Sequence, residues 1–191
     1  MTAAAEMLEI PEVRARISAI TVGQYHQFPE FNENGRRMEL IRGIILEKKR
    51  KSPLHCYIAS ILRDQLRAAT FSDYCIRKDD PLTLADSEPE PDIAVVRGDD
   101  GDFACAHPTT AALVIEIAVT SAAEDRSLAS LYAESGVEEY WIVLPARRRV
   151  EVHRRPEGGA YRDHSIVEGD ATLECAAVPG VCVALGDLFG K

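Results

Sequence analysis

The sequence predicts an α/β fold in which a mixed β-sheet is flanked by α-helices. Three observations lead to this prediction: strand pairs with hairpin patterns, a long amphipathic helix, and a buried strand–helix–strand unit in the middle of the chain. Hairpins produce antiparallel strand pairs, whereas a strand–helix–strand connection produces a parallel pair, so the sheet should contain both. The length of 191 residues, without repeats or linkers, predicts one domain over residues 1–191, with residues 1–20 as an N-terminal extension.

The first half of the chain predicts helical material, a hairpin, a long helix and a strand. Residues 6–31 have a helical pattern interrupted by prolines, and MELIRG and IILEKK follow as two strands joined at Arg42 and Gly43. The segment LHCYIASILRDQLRAAT, directly after Ser52 and Pro53, has apolar residues at the spacing of one helix face. A strand within CIRKDDPLTL then ends near a proline.

The second half predicts a strand–helix–strand unit and a terminal hairpin. DIAVV and ALVIEIAV have the pattern of buried strands, and SAAEDRSLASLYAESG that of one helix. Ser121 and Glu124 have capping-box spacing at the start of this helix, and Gly136 stands at its C-terminal cap. EEYWIVL follows as a buried strand, RRRVEVHRR and YRDHSIVEG form a hairpin around PEGGA, and VCVALGDLFGK supplies a last short strand and a turn.

Composition and charge limit the classes of function. The net charge of −9 argues against a protein that coats nucleic acid nonspecifically, but residues 36–51 contain seven Arg or Lys against two Glu, which keeps DNA as a partner. No apolar run reaches the roughly 20 residues of a membrane helix, and the N-terminus lacks the pattern of a secretory signal. Five widely spaced cysteines without a CxxC pair indicate reduced thiols. We therefore expect a cytoplasmic protein without a membrane partner.

One carboxylate interrupts an otherwise apolar strand. Glu116 lies within LVIEIAVTS, where an ionised side chain needs a positive partner because its desolvation is costly. Asp92 opens the preceding predicted strand, and consecutive strands are often neighbours, so both carboxylates could bind one divalent cation. A structural ion pair between Glu116 and a buried arginine accounts for the same pattern. Glu39 and His55 could join the site, or be an exposed strand residue and a packing residue respectively.

The order of these motifs resembles the Uma2 family of restriction-endonuclease-like proteins, within the PD-(D/E)XK nuclease superfamily. The matching motifs cover about residues 20–155: MELIRG, SPLH, EPEPDIAVV, LVIEIAVTS and YAESGVEEYWIV followed by RRRVEVHR. The resemblance implies a restriction-endonuclease-like core and a metal-dependent endonuclease that hydrolyses phosphodiester bonds of DNA. A homodimer would suit a duplex substrate.

The resemblance also implies a role for each candidate residue. Asp92 and Glu116, together with the carbonyl of Ile117, would bind Mg²⁺ or Mn²⁺. Glu39 would be a further metal ligand or a neighbour of the ligands. His55 would hold the hydrogen-bond network or move a proton, and the basic residues 48–51 would contact the DNA backbone.

One position departs from the family pattern. The usual lysine lies four residues before the Tyr of the YA..G stretch, where this chain has Leu128. Such a lysine positions the attacking water or stabilises charge on the phosphate. Lys78, on the strand before Asp92, and Arg126, on the helix, are the candidate replacements. The alternative function is a catalytically degenerate nuclease-fold protein that binds nucleic acid or a protein partner.

Overall fold

Two compact units make up the fold. The computed structural model describes residues 3–28, 37–69 and 73–190. The first unit lies within residues 1–48 and includes residues 86–88, and the second unit contains the rest of the chain. The prediction of one domain over residues 1–191 stays a prediction.

The first unit contains three short helices and a β-hairpin. Their bounds are α1 Ala3–Leu8, α2 Pro11–Arg14, α3 Val22–Tyr25, β1 Met38–Ile41 and β2 Ile44–Glu47. The predicted hairpin is confirmed, with Arg42 (φ 51°) and Gly43 (φ 74°) as its turn residues. A Cβ on Gly43 would lie 2.5 Å from Ala19 Cβ, so both the turn and the close packing require glycine there. The predicted helical region is confirmed as short helices, while Pro29 lies outside the described residues.

The second unit is built on a six-stranded mixed sheet, which confirms the predicted fold class. The strands lie in chain order: β3 Tyr74–Arg77, β4 Ile93–Arg97, β5 Leu113–Ile117, β6 Glu139–Leu144, β7 Arg149–Glu157 and β8 Ala160–Glu168. The β5–β6 pair is parallel, and the other four pairs are antiparallel. The parallel pair follows from the helical connection between β5 and β6, as the sequence predicts.

Both faces of this sheet are covered. Helix α4 (Pro53–Ala69) packs Ile58, Leu62 and Leu66 into the main apolar core with Trp141. The same core includes the C-terminal segment, which contains β9 Thr172–Glu174, β10 Cys182–Ala184 and helix α7 Leu185–Phe189. Strand alternation turns Tyr140 to the opposite face, where its ring lies 4.9 Å from that of Tyr132. No helix among the described residues is both long and apolar enough to cross a membrane.

The segment between β5 and β6 is two helices and not the single predicted helix. Helix α5 (Ala122–Ser127) has Leu128 as its C-terminal capping residue, and helix α6 (Ala129–Glu134) follows. The Ser127 hydroxyl donates to the Glu124 carbonyl at 2.6 Å, and the Leu128 N–H bonds the Asp125 carbonyl three residues back. This competing hydrogen bonding tightens the turn and interrupts the regular helical pattern.

Of the two helix caps predicted for this segment, the structure contains the C-terminal one but not the N-terminal one. The predicted capping box is wrong, because Ser121 makes no side-chain cap and its hydroxyl donates to Asp125 Oδ2 at 2.7 Å. The predicted terminal Gly136 is confirmed, with φ 73°. Gly136 N and Val137 N donate to the carbonyls of Ala133 and Tyr132, which is the Schellman arrangement. The predicted turn at the C-terminus is instead helix α7.

A buried carboxylate at the start of β6 joins three parts of the second unit. The side chain of Glu139 is 1% exposed. Its Oε1 accepts from Trp141 Nε1 at 2.7 Å and from Arg154 Nε at 2.9 Å. Its Oε2 accepts from the backbone N–H groups of Ala176 and Ala177 at 2.8 and 3.2 Å. These four nitrogen donors therefore compensate the buried charge and connect β6 to β7 and to the C-terminal segment.

We expect Glu139→Gln to lower the free energy of unfolding by about 3 kcal/mol, because it replaces the charged acceptor of a buried ion pair. The measurement is urea denaturation at neutral pH. Glu157→Gln is the matched control, since its carboxylate pairs with Arg162 at the surface and should change stability by less than about 0.5 kcal/mol. Equal effects of the two substitutions would contradict the structural role of Glu139.

Candidate active site

The pairing of β4 with β5 brings the two predicted carboxylates together. Ile93 lies opposite Ile115 in this antiparallel pair, so the preceding Asp92 lies opposite Glu116. The Asp92 N–H donates to Glu116 Oε2 at 3.3 Å, and the Ile117 N–H donates to Asp92 Oδ2 at 2.8 Å. Three of the candidate residues, Asp92, Glu116 and Ile117, therefore lie side by side at this end of the two strands.

Tyr132 fixes the orientation of Glu116, a contact that the sequence analysis did not predict. Its hydroxyl donates from α6 to Glu116 Oε1 at 3.0 Å, and its ring is fully buried. Tyr132 belongs to the YA..G stretch that marks the motif order, so its position in the sequence contained the signal. A buried tyrosine hydroxyl normally finds a hydrogen-bond partner, and here that partner is the candidate site.

His55 contacts the site from the first turn of α4. Its Nε2 lies 2.8 Å from Asp92 Oδ2, and because a carboxylate accepts, Nε2 carries the proton. The His55 N–H donates to Ser52 Oγ at 3.2 Å, so the start of the helix is fixed as well. Among the described residues, the buried Nδ1 of His55 has no hydrogen-bond partner.

Lys51 is a second residue of the site whose contact the sequence analysis did not predict. Its Nζ lies 2.7 Å from Asp92 Oδ1 and also hydrogen-bonds Asp79, and its side chain is 18% exposed. Burial lowers the pKa of Lys51, but Asp92 and Asp79 together raise it above the ordinary value. The side chain is therefore an ammonium at neutral pH. Its position directly before the SPLH motif could have indicated a place in the site. The neighbouring basic residues 48–50 instead suggested that Lys51 is a surface residue.

Asp92 remains ionised despite its burial. Burial by itself raises the pKa of this carboxyl, but the hydrogen bond from His55 and the charge of Lys51 lower it to about 2. The carboxylate has partners at both oxygens, with Lys51 at Oδ1 and with His55 and the Ile117 N–H at Oδ2. A permanent negative charge thus lies within the sheet, next to Glu116.

The two candidate replacements for the missing lysine contact other carboxylates. Lys78 Nζ lies 2.8 Å from Asp79 Oδ2, and Asp79 in turn pairs with Lys51, which contacts Asp92. Arg126 donates from Nε and Nη2 to Glu151, both at 2.7 Å.

Glu39 and two lysines of the basic residues 48–51 form ion pairs. Glu39 lies in β1 of the first unit, with its Oε2 3.2 Å from Lys48 Nζ. In the second unit, Lys49 Nζ lies 2.6 Å from Glu124 Oε2. The assignment of Glu39 to the site stays a prediction, as does contact between residues 48–51 and DNA.

A further carboxyl group near the site has a raised pKa. Asp125, on α5, is 7% exposed and accepts from the Ser121 hydroxyl. Burial is the largest cause that raises its pKa from 3.8 to about 6, and the negative charges of Asp92 and Glu124 add to the rise against the opposing hydrogen bond from Ser121.

Comparisons with known proteins agree with this architecture. A family model described as "Uma2: Putative restriction endonuclease" matches residues 22–186. The chain is similar to a crystal structure from Anabaena variabilis ATCC 29413, described as a putative nuclease belonging to DUF820, with a TM-score of 0.73 at 19% sequence identity. The alignment covers 89% of this chain and 97% of that chain, which shows a shared fold. No curated protein matches this chain.

We expect Asp125→Asn to stabilise the protein at pH 7.5 but not at pH 4. Because the folded pKa is raised, the stability linked to protonated Asp125 is present below pH 3.8 and is lost as the pH rises through about 6. The substitution should recover up to about 3 kcal/mol at pH 7.5. Urea denaturation at both pH values without divalent metal measures the change.

Asp64→Asn, at an exposed position of α4, is the matched control and should have the same small effect at both pH values. A stabilisation by Asp125→Asn that is equal at pH 4 and pH 7.5 would contradict the raised pKa.

Proposed function

We propose, since this chain belongs to the Uma2 family, that it is a metal-dependent endonuclease that hydrolyses phosphodiester bonds of DNA. The observation that carries the proposal is the convergence of Asp92, Glu116, His55 and Lys51 around one end of β4 and β5. Two carboxylates and an ammonium next to each other provide groups for a cation and for a phosphate.

The donor set fits a hard divalent cation. Asp92 and Glu116 offer carboxylate oxygens, and the Ile117 carbonyl, which accepts from Val119 N at 3.1 Å, retains a second lone pair. Asp92 Oδ1 already accepts a positive partner, the ammonium of Lys51 at 2.7 Å. Bound by these oxygens, Mg²⁺ or Mn²⁺ would polarise the attacking water and neutralise phosphate charge.

The surrounding residues orient the carboxylates before any ligand binds. His55 Nε2 and the Ile117 N–H both donate to Asp92 Oδ2, which leaves Oδ1 directed to Lys51. Tyr132 and the Asp92 N–H donate to the two oxygens of Glu116. Such outer hydrogen bonds fix the ligand geometry and lower the cost of ordering the site.

Lys51 takes the role of the lysine that is replaced by Leu128. Its ammonium is held by Asp79 as well as by Asp92, so it stays at the site when Asp92 changes its partner. Its raised pKa excludes a role as general base at neutral pH, and its charge can stabilise the negative charge that develops on the phosphate. Lys78 would support Lys51 through their shared partner Asp79, and Glu39 stays a further candidate ligand.

A second candidate function is a nuclease-fold protein that binds nucleic acid or a protein without cleaving DNA. Two observations favour it: Leu128 stands at the position of the usual lysine, and Lys51 and His55 already compensate the charge of Asp92 without a metal. This alternative predicts binding without turnover.

We expect Mg²⁺- or Mn²⁺-dependent cleavage of DNA by the full chain, and a loss of about 1,000-fold in Glu116→Gln, because the amide removes an anionic ligand. The assay uses supercoiled, linear double-stranded and single-stranded DNA. Glu168→Gln, an exposed change on β8, is the matched control and should leave the rate unchanged. Absence of cleavage of every DNA form with either metal would count against the nuclease.

We expect Lys51→Met to lower the cleavage rate about 100-fold and Lys51→Arg to lower it less, because arginine keeps the positive charge. Lys78→Met should cost less than about 10-fold, since the Lys78 ammonium contacts Asp79. Thermal melting of each variant checks folding.

The Leu128→Lys substitution separates the two candidate functions. In the nuclease proposal, it partly restores the activity of Lys51→Met. If cleavage instead appears only when Leu128→Lys is made in the otherwise unchanged chain, the site is degenerate and Lys51 does not serve as its lysine.

A further inference from the structure

We infer that Glu151, His153 and His164 form a second metal site, on β7 and β8, for a transition-metal ion such as Zn²⁺. One ligand atom from each of the three residues lies within 4.8 Å of the other two. The register explains this cluster, because His153 and His164 are directly opposite each other in the antiparallel pair. Glu151 lies two residues before His153, on the same face of the strand.

The ring of His153 is fixed in a position that leaves one nitrogen without a partner. Its ring centroid lies 4.6 Å from that of His164, 5.7 Å from that of Tyr140 and 5.8 Å from that of Tyr161. Within the described part of the chain, the buried Nε2 of His153 has no hydrogen-bond partner. A buried polar atom without a partner is costly, and coordination of a metal by the imidazole would offset this cost.

Arginines hold the carboxylate of the cluster. Glu151 is 4% exposed, and it accepts from Arg126 Nε and Nη2 at 2.7 Å and from Arg149 Nη2 at 3.2 Å. Carboxylates that bind metals are commonly hydrogen-bonded in this way. Oε1 accepts two of these bonds, whereas Oε2 accepts only the one from Arg126 Nε and keeps a second lone pair for a metal. The positive charge of the two guanidinium groups opposes a cation, so we expect an affinity on the order of micromolar, weaker than that of four-ligand zinc sites.

The ligand types distinguish this cluster from the Asp92–Glu116 site. Two imidazole nitrogens and one carboxylate oxygen suit Zn²⁺, Ni²⁺ or Cu²⁺, whereas an oxygen-only site suits Mg²⁺. His164 is exposed, so water can complete the coordination beside the three protein ligands. A bound ion would connect β7 directly to β8 and does not depend on the nuclease activity proposed above.

The test is calorimetric titration of the full chain with Zn²⁺ in excess Mg²⁺, in a Glu116→Gln background that weakens the other site. We expect one Zn²⁺ per chain, with the affinity lowered about 100-fold in His164→Ala and in His153→Gln. His107→Ala, which removes an exposed histidine outside the cluster, is the matched control and should leave the affinity unchanged. Unchanged affinity in both cluster variants would overturn the inference.

X-ray absorption of the zinc-loaded chain provides a second test that needs no variant. We expect nitrogen or oxygen neighbours at about 2.0–2.1 Å and no sulfur at about 2.3 Å. Sulfur ligation would overturn the inference, because it would assign the metal to exposed thiols such as Cys56, Cys105 and Cys182. In parallel, NMR of the imidazole groups should shift two of the five histidines with one equivalent of Zn²⁺, and a shift of any other pair would also overturn it.

Discussion

The structure around the site depends on the compensation of one buried charge, that of Asp92. Neither Lys51 nor His55 lies on the sheet, and each comes from the segment at the start of α4, so the carboxylate joins this helix to the strands. The Ile117 N–H adds a third donor from β5. Without these donors the desolvated charge would destabilise the fold, and with them it remains ionised and available for chemistry.

The sequence was sufficient for the elements and most of the sheet order, because hydrophobic periodicity and turn residues act locally. The hairpin at Arg42 and Gly43 and the parallel β5–β6 pair could both be predicted in this way. The break at Leu128 could not, because it depends on a hydroxyl that competes for a backbone carbonyl, and the helical pattern continues across it.

The positions of site residues on strands could be predicted from the sequence, whereas the position of the site residue in a loop could not. Asp92 and Glu116 face each other because of strand register, which alternation and motif order both indicated. Lys51 reaches Asp92 from irregular chain before α4, and side chains of such segments have no periodicity from which a contact can be inferred. Arg126, a candidate replacement for the usual lysine, pairs with Glu151, since the short helix α5 turns it towards β7.

The C-terminal segment completes the main apolar core, and this affects how the chain folds during synthesis. Ala184 N donates to Gln65 Oε1 across 119 positions of the chain, and Leu185 and Leu188 are fully buried in the same apolar core as α4. The apolar face of α4 is therefore incompletely covered until residues 184–188 are synthesised, whereas the β7–β8 hairpin pairs locally and early. A partly synthesised chain therefore exposes apolar surface on α4, and such surface favours association with other chains.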